Sequence, residues 1–264
     1  MRHRVFSAPR RGWAVAAILA VTLAVPASAA ASHSWGGYHW ARTANPFNLK
    51  LGDNVSGAWD GMLTTASSDW TQSNVLNTTI VTGGTKPKAC RPTSGRVEVC
   101  SASYGNSGWL GLAQIWVSGK HITQGIVKNN NYYFGSSSYT YNNTAEMQHV
   151  ICQEIGHTFG LDHQSTSGTS LNTCMDYYHN TSASDTKSTH PNSHDYAQLS
   201  TIYTHLDSTN TVLSASVRGA SGTVADAGSW GHLVASSNGG RTQTFFLDLG
   251  SGGGIVTFVT WAHS

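Results

Sequence analysis

The sequence predicts a mixed α/β (α+β) domain followed by a small all-β appendage, and three observations lead there. Short apolar runs with strand character fill the chain up to about residue 130. Two longer segments then carry apolar residues at helical intervals. From about residue 207 the character shifts to short strands separated by Asn238-Gly239-Gly240 and by the glycines between 250 and 254. No internal repeat is evident.

Taken in order, "PFNLKLGD" is a strand through Phe47, Leu49 and Leu51. "SGAWDGMLTTASSDWTQ" has helical spacing, with Trp59, Met62, Leu63 and Trp70 roughly on one side and Ser56 placed as a cap. Strands follow at "NTTIV", "RVEVCSA", "LAQIWVSG" and "HITQGIVKN". "NNTAEMQHVICQEIGHTFGL" is a helix capped by Asn143 or Thr144, with Glu146 in its first turn. Met147, Val150, Ile151, Ile155 and Phe159 recur along it at helical intervals, and Gly160 stops it. After a Ser/Thr/Asn-rich loop, "SHDYAQLSTIYTHL" is a second amphipathic helix capped by Asn192 or Ser193. "TVLSASV", "HLVASS", "TQTFFLDL" and "IVTFVTWA" are the strands of the appendage.

The first 29 residues stand apart. Arg2, Arg4, Arg10 and Arg11 precede an apolar run over 13–25, then Pro26 and Ala27-Ser28-Ala29. A basic region, a short apolar core and a small-residue cleavage site make a secretory signal peptide, too short in its core for a membrane span. The expected organisation is therefore a signal peptide over 1–29, a main domain over 30–206 and a β-rich extension over 207–264. Loss of the signal removes four arginines and no acid, leaving 11 Lys and Arg against 13 Asp and Glu. The basic balance of the whole chain thus gives no reason to expect nucleic acid, and no basic patch with interleaved aromatics exists. The remaining chain, poor in charge and rich in Ser, Thr, Asn and Gly, suits a secreted globular protein. Four cysteines fit an oxidising compartment. "RPTSGRVEV" can turn between Cys90 and Cys100 and bring them together, which leaves Cys152 to pair with Cys174. No Cys-x-x-Cys spacing supports a cysteine metal site.

The chemistry lies in "CQEIGHTFGLDH", residues 152–163. Positions four apart share a helical face, so Gln153 and His157 project side by side with Glu154 next to them. Gly160 lets the chain turn and return His163 to the same point. Three ligands around an open fourth position make a catalytic zinc site, and an adjacent carboxylate can take a proton from water acidified by the metal. Gln153 stands where a third histidine would be expected. Its amide oxygen reaches about as far but is a poorer donor than imidazole, so weaker zinc binding is expected. His149 is the competing third ligand. It lies eight residues from His157, roughly 12 Å along a helix axis, and helical side chains lean toward the N-terminus, so it points away from the site.

These residues resemble those of the metzincin zinc metallopeptidases, the matrixin-like branch in particular. "TCMDYY" is similar to the Met-turn of that clan, with Met175 twelve residues beyond His163. Tyr177 matches the tyrosine that astacin-like members place beside the metal or the transition state. "GLAQ…ITQGIVKNN" resembles the edge-strand region that pairs with an extended peptide above the cleft. The resemblance covers about residues 38–206 and implies a twisted mixed sheet, an active-site helix and a Met-turn as a hydrophobic base. No cysteine-switch segment precedes the domain, no dense Asp/His loop suggests extra structural ion sites, and the extension has no assigned counterpart.

Two functions follow as expectations. The first is a secreted zinc endopeptidase acting on a protein or peptide substrate: Zn2+ is held by Gln153, His157 and His163, Glu154 is the general base, and Tyr177 stabilises the oxyanion. The second is a catalytically inactive relative that binds a peptide or glycan.

Overall fold

The structure, a computed structural model, describes residues 1, 33–212 and 229–262. The signal-like segment beyond Met1 and most of the strand expected at 211–217 lie outside the described residues. Among the described residues, no helix is long and apolar enough to cross a membrane.

The elements run β1 (His39–Trp40), β2 (Phe47–Asn54), α1 (Ala58–Trp70), β3 (Leu76–Thr82), β4 (Val97–Ala102), β5 (Trp109–Ser118) and β6 (His121–Asn130). Next come α2 (Asn131–Phe134), α3 (Thr144–His157), α4 (Ser193–Ile202), β7 (His232–Ser237), β8 (Thr242–Gly250) and β9 (Gly253–Trp261). The expected mixed α/β class is met by one large mixed sheet with few helices. Its strand order is β3-β2-β4-β6-β5-β9-β8-β7, with β1 parallel to β6 off that path. The first four strands of that order are mutually parallel, and β5, β9, β8 and β7 are antiparallel to their neighbours.

Sequence and structure differ most at the C-terminal end. The strands expected to form an appendage continue the main sheet, because β9 pairs along the whole of β5, from Trp109 opposite Trp261 to Ser118 opposite Gly253. Both strands are buried on both faces, which is why they read as unbroken apolar runs rather than as alternating ones. On one face α3 packs against β5, β6 and β9, and α1 packs against α3 and β3. Trp40, Leu49, Leu63, Trp70, Val150, Ile151, Ile155 and Phe159 belong to this core. On a second cluster, Trp116, Ile126 and Ile255 pack with the Cys90–Cys100 disulfide.

The helix ends follow their caps. Asn143 accepts the Glu146 amide and starts α3. Asn192 and Asp195 form a reciprocal capping box at α4. Ser56 does not cap α1; Gly57 takes the cap position and offers no side chain. Beyond α3, Gly160 sits at φ +94°, where a Cβ would come within 2.1 Å of the Tyr38 carbonyl oxygen. Only glycine meets both conditions, the left-handed backbone and the close strand. Gly160→Ala should lower stability by at least about 2 kcal/mol in urea unfolding, whereas a change within about 0.5 kcal/mol would show that the turn relaxes freely.

Candidate active site

The floor of the site is α3 braced on the turn around Met175. Gly156 makes the close approach possible, since a Cβ there would lie 2.5 Å from Met175 Sδ and 2.7 Å from the Trp70 ring. The Cys152–Cys174 disulfide ties the helix to the turn, and Trp70 Nε1 donates to the Cys152 carbonyl at 3.2 Å. From α4, the buried Asp195 accepts the Thr173 hydroxyl, whose oxygen in turn accepts the Met175 amide at 2.9 Å. All four cysteines are paired as the sequence led us to expect.

His157 and His163 are brought together. Their ring centroids lie 4.6 Å apart, and both residues are buried. His157 Nδ1 donates to the Leu161 carbonyl at 2.9 Å, and His163 Nδ1 lies 3.4 Å from Asp162 Oδ1. Both rings therefore turn Nε2 inward, and neither Nε2 has a hydrogen-bond partner among the described residues. Buried imidazole nitrogens are normally paired, so two unpartnered ones on neighbouring rings could serve as metal donors. Burial, with His163 beside it, pushes the His157 ring down to about 3 in the metal-free protein, so it stays neutral and able to coordinate.

Glu154 is fully buried beside them, close against Gly111 of β5, where a Cβ would meet its side chain at 3.0 Å. Burial raises its carboxyl to about 8, while the Thr260 hydroxyl acting as a donor pulls the other way. The contacts are compatible with the neutral acid. Thr260 Oγ1 lies 2.7 Å from Glu154 Oε1 and 2.9 Å from Gln153 Oε1. A hydroxyl carries one hydrogen, so Thr260 either shares it between the two oxygens or donates to Gln153 while a protonated Glu154 donates to Thr260.

Gln153 is fixed from the other side. Its Nε2 donates to the carbonyls of Cys174 at 2.9 Å and Asp176 at 2.7 Å. Both amide hydrogens are thereby committed to the methionine turn, which directs Oε1 away from it, toward Thr260. His149 shares the Asp176 carbonyl with Gln153: its Nε2 donates to that oxygen at 3.1 Å and lies 3.3 Å from Gln153 Nε2, and its Nδ1 is 3.6 Å from Glu146 Oε2. Tyr177 is buried and donates its hydroxyl to the carbonyl of Arg241 at 2.6 Å, with the Trp261 carbonyl at 3.4 Å. Burial, the largest influence, raises its phenol well above the ordinary value.

The β8–β9 hairpin and the residue before it thus touch four of the five expected site residues. Along β9, Thr260 bonds Gln153 and Glu154 and Phe258 stacks flat on His157 at 4.4 Å, and the carbonyls of Arg241, just before β8, and of Trp261 hold Tyr177. The outer edge of β5, expected to be open to a peptide, is paired with this strand. Nothing in the local sequence announced it.

A second group also escaped sequence reading. His39, His205 and Asp207 offer ligand atoms all within 4.8 Å of one another, an arrangement able to bind a metal ion. The three come from opposite ends of the domain, so no motif spacing connects them.

No known family model, curated protein or solved structure matches this chain.

The Glu154 carboxyl fixes a pH dependence. The unfolded chain ionises this residue from about 4.5, while the folded, metal-free protein keeps the proton up to about 8. The unfolded state then binds fewer protons in that window, so this residue makes stability fall as pH rises through it. Glu154→Gln, neutral at every pH, should remove that fall. In chelator-treated protein the variant should gain on the parent by on the order of 2–4 kcal/mol between pH 5 and 8, read from urea unfolding. Parallel curves would show that Glu154 is ionised in the folded state.

Proposed function

We propose that this chain is a secreted zinc-dependent endopeptidase held closed by its own C-terminal strand. The observation that carries the reading is the pair of buried, unpartnered Nε2 atoms of His157 and His163 beside a buried Glu154, all beneath a strand antiparallel to β5. The metzincin-like spacing of residues 153–163 and the methionine turn add to it. Secretion rests on the signal-like first 29 residues and the two disulfides.

Zinc would be held by His157 and His163, with Gln153 Oε1 as third protein donor once Thr260 releases it, and would supply Lewis acidity toward the scissile carbonyl and its water. The remaining work belongs to the chain. In the closed form Glu154 holds a proton and Tyr177 spends its hydroxyl on Arg241. Departure of β9 opens the β5 edge to an extended peptide and lets water reach Glu154, returning its carboxyl to the ionised form. Glu154 then accepts a proton from the attacking water as the new C–O bond forms. It delivers that proton to the amine as the C–N bond breaks. Tyr177, freed from the Arg241 carbonyl, becomes a donor for the developing oxyanion.

The same strand favours a second reading, a secreted peptide- or glycan-binding protein in which β9 never leaves and Glu154 never meets substrate. Casein hydrolysis by the zinc-loaded full chain separates the two. Truncating the buried Phe258 weakens closure by about 3–5 kcal/mol, so Phe258→Ala should hydrolyse casein at least about tenfold faster than the parent. Glu154→Gln in that background should cost at least about a hundredfold. A Phe258→Ala protein that binds one equivalent of zinc at the site and leaves casein intact would establish the binding-protein reading.

A further inference from the structure

The His39, His205 and Asp207 group lies outside the cleft and takes no part in the chemistry proposed above. It joins β1, near the start of the described chain, to the segment that follows α4. His39 Nε2 lies 3.1 Å from His205 Nε2 and 3.4 Å from Asp207 Oδ1, and His205 Nε2 lies 3.6 Å from the same oxygen. Ligands about 2.0–2.1 Å from a tetrahedral zinc stand roughly 3.3–3.4 Å from one another, so the three atoms already have the spacing of one face of a coordination sphere.

The orientation of each group is fixed from behind. His39 Nδ1 is 3.0 Å from the Gly37 carbonyl, which makes that nitrogen the protonated one and leaves Nε2 with its lone pair. Asp207 Oδ2 accepts the Arg42 amide at 3.2 Å and Arg42 Nη1 at 3.0 Å, so Oδ1 is the oxygen turned toward the histidines. His121, at the start of β6, reaches Oδ1 at 3.2 Å and can donate to one of its lone pairs while the other stays free. Without a cation, the lone pair of a neutral His39 Nε2 faces both a carboxylate oxygen and a second imidazole nitrogen. At 3.1 Å the two imidazole nitrogens cannot both carry hydrogens either. A divalent ion removes the conflict at all three atoms.

We propose that His39 Nε2, His205 Nε2 and Asp207 Oδ1 bind a divalent transition-metal ion that clamps the start of the domain to the segment after α4. His121 acts as a hydrogen-bond partner of the ligand carboxylate, and solvent supplies the remaining position. Two nitrogen donors select a zinc-like ion over calcium or magnesium. The half-exposed His205, 54% accessible, leaves a route for the ion to enter. Arg42 supports the site twice, holding Asp207 and donating to the carbonyls of Tyr203 and His205 that lead into it.

The test uses the full chain carrying His157→Ala and His163→Ala, which removes the cleft histidines from the count and keeps the result independent of the endopeptidase reading. After treatment with a chelator, cobalt(II) titration should show one equivalent bound, with the visible absorption of a nitrogen-ligated ion. Zinc should raise the thermal midpoint of the same protein. Adding His205→Ala should weaken cobalt binding at least about a hundredfold and abolish the thermal shift. Its partly exposed side chain makes this change safe for folding, and near-ultraviolet circular dichroism confirms that the chain is intact. If the parent of that pair binds no cobalt, or binds it equally well after His205→Ala, the group is a hydrogen-bonded cluster only and the proposal fails.

Discussion

The antiparallel pairing of β9 with β5 is the constraint on which the rest of the site depends. It brings Phe258 onto His157 and Thr260 between Gln153 and Glu154, and it excludes water from all of them. The neutral Glu154, the neutral His157 and the diverted Tyr177 hydroxyl are three consequences of that one strand. On the endopeptidase reading, the protonated acid and the diverted phenol are in the wrong state for peptide hydrolysis, while the neutral imidazole is the form that coordinates a metal. Desolvation disfavours charge on the acid and on the imidazole, and the backbone carbonyls of the hairpin satisfy the phenol. Closure also contributes to stability, because Val256, Phe258 and Val259 are buried and each such side chain is worth about 1.5–3 kcal/mol relative to exposure.

Floor and roof are built differently. Beneath the site, α3 is fixed by a disulfide, by the Gly156 approach to Met175 and Trp70, and by the Asp195–Thr173–Met175 chain. These contacts lie on α3, α1, α4 and the turn, and none involves β9. The roof is held by the full length of the β5–β9 pairing and by β9 side chains in each of the hydrophobic clusters. On the endopeptidase reading, this arrangement lets the strand leave without disturbing the donors underneath. Gln153 belongs to both halves. Its amide nitrogen bonds two carbonyls of the turn, while its oxygen accepts from Thr260 of β9.

The elements and the floor were legible in the sequence because their signals are local. The spacing Glu154, His157, Gly160, His163 already stated which residues meet, and Asn143 and Asn192 cap where a local rule places them. The disulfides followed from the turn at 92–95, which brought Cys90 and Cys100 together and left Cys152 with Cys174. The roof was not legible. "GGIVTFVTW" announces a strand, but its partner lies about 140 residues earlier, and pairing at that distance leaves no mark in periodicity. The same limit hid the His39, His205 and Asp207 group, assembled from both ends of the domain. Gln153 was readable as a displaced ligand but not as a brace, because its carbonyl partners are backbone atoms that no side-chain pattern encodes. Ser56 missed its cap because Gly57 supplies the backbone turn ahead of it.

The most direct test of the account is amide hydrogen exchange along the sheet under native conditions. Gly253–Trp261 should open with a free energy clearly below that of β4 and β6, showing that the strand leaves while the floor stays folded. Exchange of β9 only through global unfolding, at the same free energy as β4 and β6, would make it a permanent strand of the sheet and contradict the claim that it is a roof.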